Sequence, residues 1–126
     1  MENLFISAKE RSPEVDFRFS ENRLSLTGEA YPEDPASFFG PLLRAVAAHC
    51  DTLQGQSLVV EFRLDYFNTS SAKALMNLIQ LLERAARRGV RVDLRWHHQQ
   101  DDEVIREFGE DFATELQYAR FQLVER

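Results

Sequence analysis

Four small polar residues stand in a row at positions 68–71, where the sequence reads Asn-Thr-Ser-Ser. Three of them carry hydroxyl groups, which can cap a helix or accept a phosphoryl group. The run before them alternates like a β-strand, and the run after them has the spacing of an amphipathic helix. The motif therefore lies at a strand-to-helix junction, where any of its first three residues can be the N-cap.

The position of these hydroxyls allows two interpretations. A helix N-terminus exposes unpaired N–H groups and positive dipole potential, so it suits an anion, including a phosphate carried by a side chain there. The first interpretation is ordinary capping, for which these residue types are preferred. The second is a phosphoacceptor that a kinase can reach and whose charge changes strongly on modification. Residue chemistry alone leaves both open, with capping the simpler.

A second polar cluster combines His97 and His98 with Asp101, Asp102 and Glu103. These residue types bind metals, but neighbouring residues at a strand end point to opposite faces. No Cys or His elsewhere has the spacing of a metal site. The sequence therefore predicts a solvated loop and no metal.

The remaining candidates give no sign of catalysis. His49 is predicted to be a partly exposed structural residue, and Cys50, on an apolar helical stripe, a buried and inert thiol. Glu107, Glu110 and Asp111 are predicted to form a solvated acidic face. No Ser-His-Asp order or glycine-rich phosphate loop is visible. The chain is thus expected to be no enzyme and to hold no cofactor.

Composition narrows the class of protein. The chain has 126 residues, 44% of them hydrophobic, and a net charge of −6. One folded domain over residues 1–126 fits this length, and the acidic balance disfavours nucleic-acid binding. One cysteine and no visible signal peptide or membrane span indicate a cytoplasmic protein without membrane association.

The hydrophobic pattern predicts strands that alternate with helices. An N-terminal hairpin, to which "LFIS" can add a short strand, leads to the first helix. Asp34-Pro35 has the pattern of a helix start, but Gly40 and Pro41 disturb the first turns, so a start after these two residues is the alternative. A strand with Tyr66 on its inner face precedes the second helix. A strand and a short helix follow, with a candidate last strand at "QYARFQLVER". The short helix is expected to turn Val104, Ile105, Phe108 and Phe112 inward. The pattern indicates an α/β fold with a mixed sheet of four to five strands and helices packed on it.

The block "VVEFRLDYFNTSSAKALMNLIQLLERAARRG" resembles the STAS domains of anti-sigma factor antagonists, in which a strand, an Asp-Ser-Ser-Gly motif and a leucine-rich helix follow one another. Here Asn68 replaces the acidic residue and Ser71 the glycine. The chain is more similar to the STAS-like SiaC family of bacterial regulatory phosphoproteins. That likeness also includes "RLSLTGEAYPEDPASFFGPLL" and "VRVDLRWHH".

The SiaC resemblance implies a switch. The threonine of Asn-Thr-Ser-Ser is the phosphosite of that family, which corresponds to Thr69, with Ser70 and Ser71 as the alternatives. A dedicated serine/threonine kinase adds the phosphate and a metal-dependent phosphatase removes it. The unphosphorylated form binds and activates a diguanylate cyclase, which raises cyclic di-GMP and promotes aggregation and biofilm formation. The partner surface is expected around Asn68, Thr69, Ser70 and Lys73.

Other functions are open at this point. An anti-sigma factor antagonist would bind an anti-sigma kinase instead of a cyclase. Some STAS-like domains sense nucleotides or lipids, although this chain has no recognisable phosphate loop. A weak enzyme built around His97 and His98 would reveal itself by metal content.

Overall fold

The computed structural model describes residues 2–126 and contains six strands and three helices. A single 3₁₀ turn, Phe19–Glu21, links the second and third strands. The strands are β1 (Leu4–Ile6), β2 (Glu14–Arg18), β3 (Arg23–Ala30), β4 (Ser57–Phe67), β5 (Arg91–His98) and β6 (Arg120–Glu125). The helices are α1 (Pro35–Asp51), α2 (Thr69–Arg87) and α3 (Glu103–Ala113).

The strands form one mixed sheet in chain order, from β1 to β6. The first three pair antiparallel, and β3 to β6 pair parallel, with one helix in each parallel connection. This confirms the predicted α/β class. The strand count exceeds the predicted four to five because the short segment Leu4–Ile6 does pair with β2.

The core fills one face of the sheet. Inward side chains of the strands, such as Leu58, Phe62 and Trp96, join the apolar stripes of the helices in one buried cluster. The predicted stripe of α2 is confirmed by the burial of Leu75, Leu78, Ile79, Leu82 and Ala86. The opposite face of the sheet is polar and carries charged side chains. Among the described residues, no helix is long and apolar enough to cross a membrane.

All three helices begin at the same edge of the sheet, because each follows the carboxyl end of a parallel strand. Asp34, Asn68 and Asp102 are their N-caps, and each side chain accepts a hydrogen bond from the backbone N–H three residues on. Of the two predicted starts of α1, the structure has the one at Asp34-Pro35. Three helix N-termini therefore lie at this edge of the sheet.

A β-bulge near the end of β4 reverses the predicted orientation of Tyr66. Gly28 pairs with Leu64, but the next residue of β3 pairs with Tyr66, so Asp65 is the extra residue. Beyond the bulge Phe67 is buried and Tyr66 is 49% exposed. The prediction that Tyr66 lies inside was wrong because a bulge breaks strict alternation.

The inward face of α3 is narrower than predicted. Ile105 and Phe112 are buried, but Val104 is 63% exposed and Phe108 36% exposed, so their assignment to the core was wrong. The helix lies close against Trp96, whose indole N–H donates to the carbonyl of Ile105 at 2.8 Å. Because this close approach leaves room for a narrow stripe only, the neighbouring apolar residues remain at the surface.

Candidate functional site

The start of α2 is built around Asn68. Its backbone is extended, with φ −90° and ψ 177°, and its side-chain oxygen accepts from the N–H of Ser71 at 2.9 Å. Its own N–H donates to the carbonyl of Ala30 at 3.3 Å. The N-cap, which the sequence left open among three residues, is therefore Asn68, and β3 helps to hold it in place.

The three hydroxyls of the motif have different environments. Thr69 and Ser70 are exposed in the first turn of α2. Ser71 is fully buried, and its Oγ has no hydrogen-bond partner among the described residues. Ser71 lies four residues before Leu75 and so belongs to the buried stripe, a signal that was present in the sequence. In this conformation another protein can reach Thr69 and Ser70 but not Ser71.

The charge at this helix start differs from that at the other two. The cap of α2 is a neutral amide, and no acidic residue lies in its first turn. The caps of α1 and α3 are carboxylates, Asp34 and Asp102. Lys73 is exposed one turn after Thr69, so both side chains lie on one face of α2. The start of α2 thus retains its positive potential and suits an added anion.

Aromatic side chains lie on the sheet side of the junction. Tyr66 packs edge-to-face on Tyr31, with ring centroids 5.6 Å apart, and the guanidinium of Arg11 lies 5.4 Å from the Tyr31 ring centre. Exposed tyrosines are typical anchors of protein interfaces. The sequence analysis missed this pair, although Gly28, a lone glycine inside a strand, was a signal for the bulge.

His97 and His98 do not lie in a solvated loop, as the sequence analysis had predicted. Both belong to β5 and are buried, at 9% and 5% exposure. Nε2 of His97 lies 2.9 Å from Oε1 of Glu61, and Nδ1 of His98 lies 3.0 Å from the carbonyl of Gln99. The error arose because the partner of His97 is on another strand, which the local sequence does not reveal.

Glu61 is the centre of a charged cluster on the polar face of the sheet. Besides the contact with His97, it accepts hydrogen bonds from Arg23 at 3.2 Å and Arg63 at 3.0 Å. Burial raises the pKa of Glu61, but the hydrogen bond to His97 and the charge of Arg63 outweigh it, so the net shift is downward.

Burial lowers the pKa of His97, and the hydrogen bond to Glu61 offsets this lowering only in part. The pair is therefore a neutral imidazole that donates its Nε2–H to a carboxylate. This arrangement joins two strands. Within residues 2–126, no three His, Cys, Asp or Glu side chains converge as metal ligands.

Two further residues with reactive side chains lie in α1. His49 is buried rather than partly exposed, because its Nε2 lies 2.7 Å from Oδ1 of Asn22 in the turn before β3. Cys50 is buried, as predicted, and burial raises the pKa of its thiol to about 11. Both side chains therefore have structural roles. The acidic residues Glu107, Glu110 and Asp111 are exposed, as predicted.

Comparisons with known proteins identify the family of this chain. Residues 6–126 match the family described as SiaC family regulatory phosphoprotein. An uncharacterized protein of Pseudomonas aeruginosa (strain UCBPP-PA14) is 34% identical over 118 residues, which are 94% of this chain and 93% of that protein.

Two solved structures extend the likeness to three dimensions. Apo-SiaC from Pseudomonas aeruginosa has a TM-score of 0.89 and 32% identity, over 98% of this chain and 99% of that one. A crystal structure of the diguanylate cyclase SiaD in complex with its activator SiaC, from the same organism, matches with a TM-score of 0.91 and 32% identity, again over 98% and 99%. The chain described here therefore belongs to the SiaC family of regulatory phosphoproteins.

Proposed function

We propose that this protein is a cytoplasmic, non-enzymatic regulator whose unphosphorylated form binds and activates a diguanylate cyclase. A serine/threonine kinase phosphorylates Thr69 and ends the activation, and a metal-dependent phosphatase restores it. Cyclic di-GMP, and with it biofilm formation, then rises when Thr69 is unmodified. The observation that carries the proposal is the match over nearly the whole chain to a SiaC structure solved with the cyclase that SiaC activates.

The geometry of the α2 start supports Thr69 as the switch. Its hydroxyl is exposed, whereas Ser71 is buried, and the neutral cap Asn68 places no carboxylate beside it. A phosphate adds about −1.5 to −2 charges at neutral pH. The positive end of α2 tolerates that charge in the free protein, so the fold is expected to survive modification.

In a complex the same phosphate is unfavourable. It adds bulk and must lose water where the partner packs against Asn68, Thr69 and Ser70. It also competes for Lys73, which lies one turn further along α2 and is the nearest cation on that face of the helix. A coupling of about 3 kcal/mol between phosphate and partner would weaken binding more than a hundredfold.

The test is cyclase turnover with the unmodified protein, the phosphorylated protein, Thr69→Ala and Thr69→Asp. Thr69→Ala removes the acceptor and is expected to activate normally and to resist the kinase. Thr69→Asp is expected to activate less than wild type but more than the phosphorylated form, because a carboxylate carries less charge and fewer oxygens.

Gln80→Asp is the matched control for charge, since Gln80 is exposed on the same helix but far from its start. It is expected to activate like wild type. Phosphopeptide sequencing identifies the modified hydroxyl, and a mark only on Ser70 would shift the site by one residue. Full activation by the phosphorylated protein would contradict the proposal.

A further inference from the structure

A cavity of about 430 Å³ lies at the amino ends of β4, β5 and β6, beside the end of α2. This is the edge of the sheet opposite to the start of α2. The helix has 19 residues, so its two ends, and with them the cavity and Thr69, are about 27 Å apart. The volume is within the range of about 300–1,000 Å³ that is usual for small-molecule sites. The cavity is thus large enough for a ligand and distant from the proposed switch.

The cavity combines apolar and aromatic lining. Val90 and Val92 line it and are buried, at 3% exposure each. Tyr118 also lines it and is 57% exposed, and the guanidinium carbon of Arg87 lies over its ring, 6.0 Å from the ring centre. An accessible ring beside an apolar surface is the usual platform on which a nucleotide base stacks.

Two guanidinium groups complete the lining. Arg91 of β5 and Arg120 of β6 are both exposed and both line the cavity. Within residues 2–126, neither forms an ion pair with a carboxylate. Asp93, which also lines the cavity, already accepts hydrogen bonds from Gln122 at 2.9 Å and from Arg95 at 3.2 Å. The two guanidinium groups are therefore available to an anionic ligand.

The other arginines of the strands differ from this pair. Each of them lies within 3.2 Å of a carboxylate oxygen: Arg18, Arg23, Arg63 and Arg95. The sheet thus satisfies its arginines along its polar face and leaves two without a carboxylate at one cavity. Ion pairing within the fold does not account for the two.

We infer that this cavity binds cyclic di-GMP, the product of the proposed cyclase partner, an inference that rests on the function proposed above. Arginine binds phosphate with two parallel hydrogen bonds, and it is also the side chain that most often recognises guanine, through O6 and N7. The dinucleotide carries two phosphodiesters with one negative charge each, which Arg91 and Arg120 match. One of its guanine bases stacks on Tyr118.

A nucleoside triphosphate fits this cavity less well. Sites for triphosphates use a glycine-rich loop whose free N–H groups surround the phosphates. Here the N–H groups of Gly89, Val90 and Arg91 already donate to backbone carbonyls, at 3.0, 3.2 and 2.9 Å. Recognition of phosphate is therefore left to the two arginine side chains, which suit two charges better than the three or four of a triphosphate.

The position of the cavity gives this binding a regulatory meaning. A protein that activates the cyclase lies close to the point where the product is released. Because the cavity and Thr69 are at opposite ends of α2, the product can bind without displacing the cyclase from the proposed switch surface. The regulator can therefore respond to the product of the enzyme that it activates.

The test is titration calorimetry of the purified full-length protein with cyclic di-GMP, for wild type and variants. Wild type is expected to bind saturably. Arg91→Ala and Arg120→Ala should each weaken binding by about tenfold or more, because each removes a charge-assisted hydrogen bond. Tyr118→Leu should weaken it by about fivefold or more, whereas Tyr118→Phe retains the ring and should stay within about twofold. Circular dichroism checks that each variant folds.

Arg84→Ala is the matched control. Arg84 is exposed near the end of α2 and has no ion pair within the described residues, but it does not line this cavity. The variant is expected to bind cyclic di-GMP within about twofold of wild type. An equal loss for Arg84→Ala would show that general charge attraction governs binding, and would overturn the inference.

Three further ligands test the assignment to the dinucleotide. GTP, GMP and inorganic phosphate are each expected to bind at least about tenfold more weakly than cyclic di-GMP. Equal binding of GTP or GMP would show a general nucleotide site, and equal binding of inorganic phosphate would show an adventitious ion only. Either result would overturn the inference.

The outcomes separate the inference from the proposed function. If the protein activates the cyclase but does not bind cyclic di-GMP, the inference fails and the proposed function stands. If it binds cyclic di-GMP but neither binds nor activates the cyclase, the proposed function fails, whereas the assignment of the cavity is supported.

Discussion

The second and third helices begin at the same edge of the sheet with the same type of cap, yet the two starts are built differently. At α3 the cap is the carboxylate of Asp102, Glu103 follows it, and the turn is fixed by the bond from Trp96 to Ile105. At α2 the cap is the neutral Asn68, followed by two exposed hydroxyls and no acid in the first turn. The acidic residues at the start of α3 neutralise the positive potential of that helix end, so this start has a structural role. The start of α2 retains its positive potential and can accommodate a phosphate.

The largest expected effect concerns the packing of α3 on Trp96, at Gly109. A Cβ there would lie 2.7 Å from Nε1 of Trp96, so α3 has to move or Trp96 has to turn. Gly109→Ala is expected to lower the free energy of unfolding by about 1–3 kcal/mol, the usual cost of overpacking. Urea unfolding measures this. Activation per folded molecule should stay at the wild-type level, and its loss would show that α3 also belongs to the switch.

A pair of cap substitutions compares the two starts directly. Asn68→Ala and Asp102→Ala each remove one hydrogen bond to a backbone N–H, at 2.9 and 3.0 Å, and should each cost about 1 kcal/mol of stability. Only Asn68→Ala is expected to reduce cyclase activation as well. Thermal unfolding and cyclase turnover are measured side by side, and equal activation by both variants would remove the functional distinction.

A smaller effect is expected when the cap of α2 is made acidic. Asn68→Asp retains a good cap, so stability should change by only a few tenths of a kcal/mol. The added charge at the helix start, worth about 0.3–1 kcal/mol, should weaken cyclase binding by about two- to fivefold. Titration calorimetry with wild type and variant measures it. Unchanged affinity would mean that the neutral cap is irrelevant to the partner.

The smallest effect is a pH dependence of stability that leaves the switch unaffected. The folded protein lowers the pKa of both His97 and Glu61, so the unfolded chain binds more protons in acid. Stability is expected to fall as the pH drops below the ordinary histidine value of 6.5, and further below the ordinary glutamate value of 4.5. The loss of stability in acid should be smaller in His97→Gln than in wild type. Thermal unfolding of both proteins between pH 8 and pH 4 measures this difference.

The start of α2 has no carboxylate or imidazole between Asn68 and Ser71. Binding of the cyclase should therefore change little between pH 8 and pH 7, where His97 remains neutral. A steep change in that range, with the fold intact, would locate a titrating group at the interface.

The sequence by itself determined the features that depend on near neighbours. Alternation and helical spacing located the three helices, the α/β class and the junction at Asn68, because both periods are set by the local backbone. Asp34-Pro35 marked one of two possible starts of α1 for the same reason, and the structure has that one. The helical spacing of α2 also contained a signal for the burial of Ser71, since that residue continues the apolar stripe that includes Leu75.

Tertiary structure decided whatever depends on residues distant in the chain. The bulge that exposes Tyr66 exists only because β3 pairs with β4 out of step. His97 is buried where Glu61, on the adjacent strand, accepts a hydrogen bond from its Nε2–H. A groove lined by Phe39 and Leu43 of α1 and by Ser70 and Ala74 of α2 forms only after the parallel strands have aligned the two helices. Local sequence patterns contain no information on these long-range contacts, because the contacts are fixed by the register between strands and by helix packing.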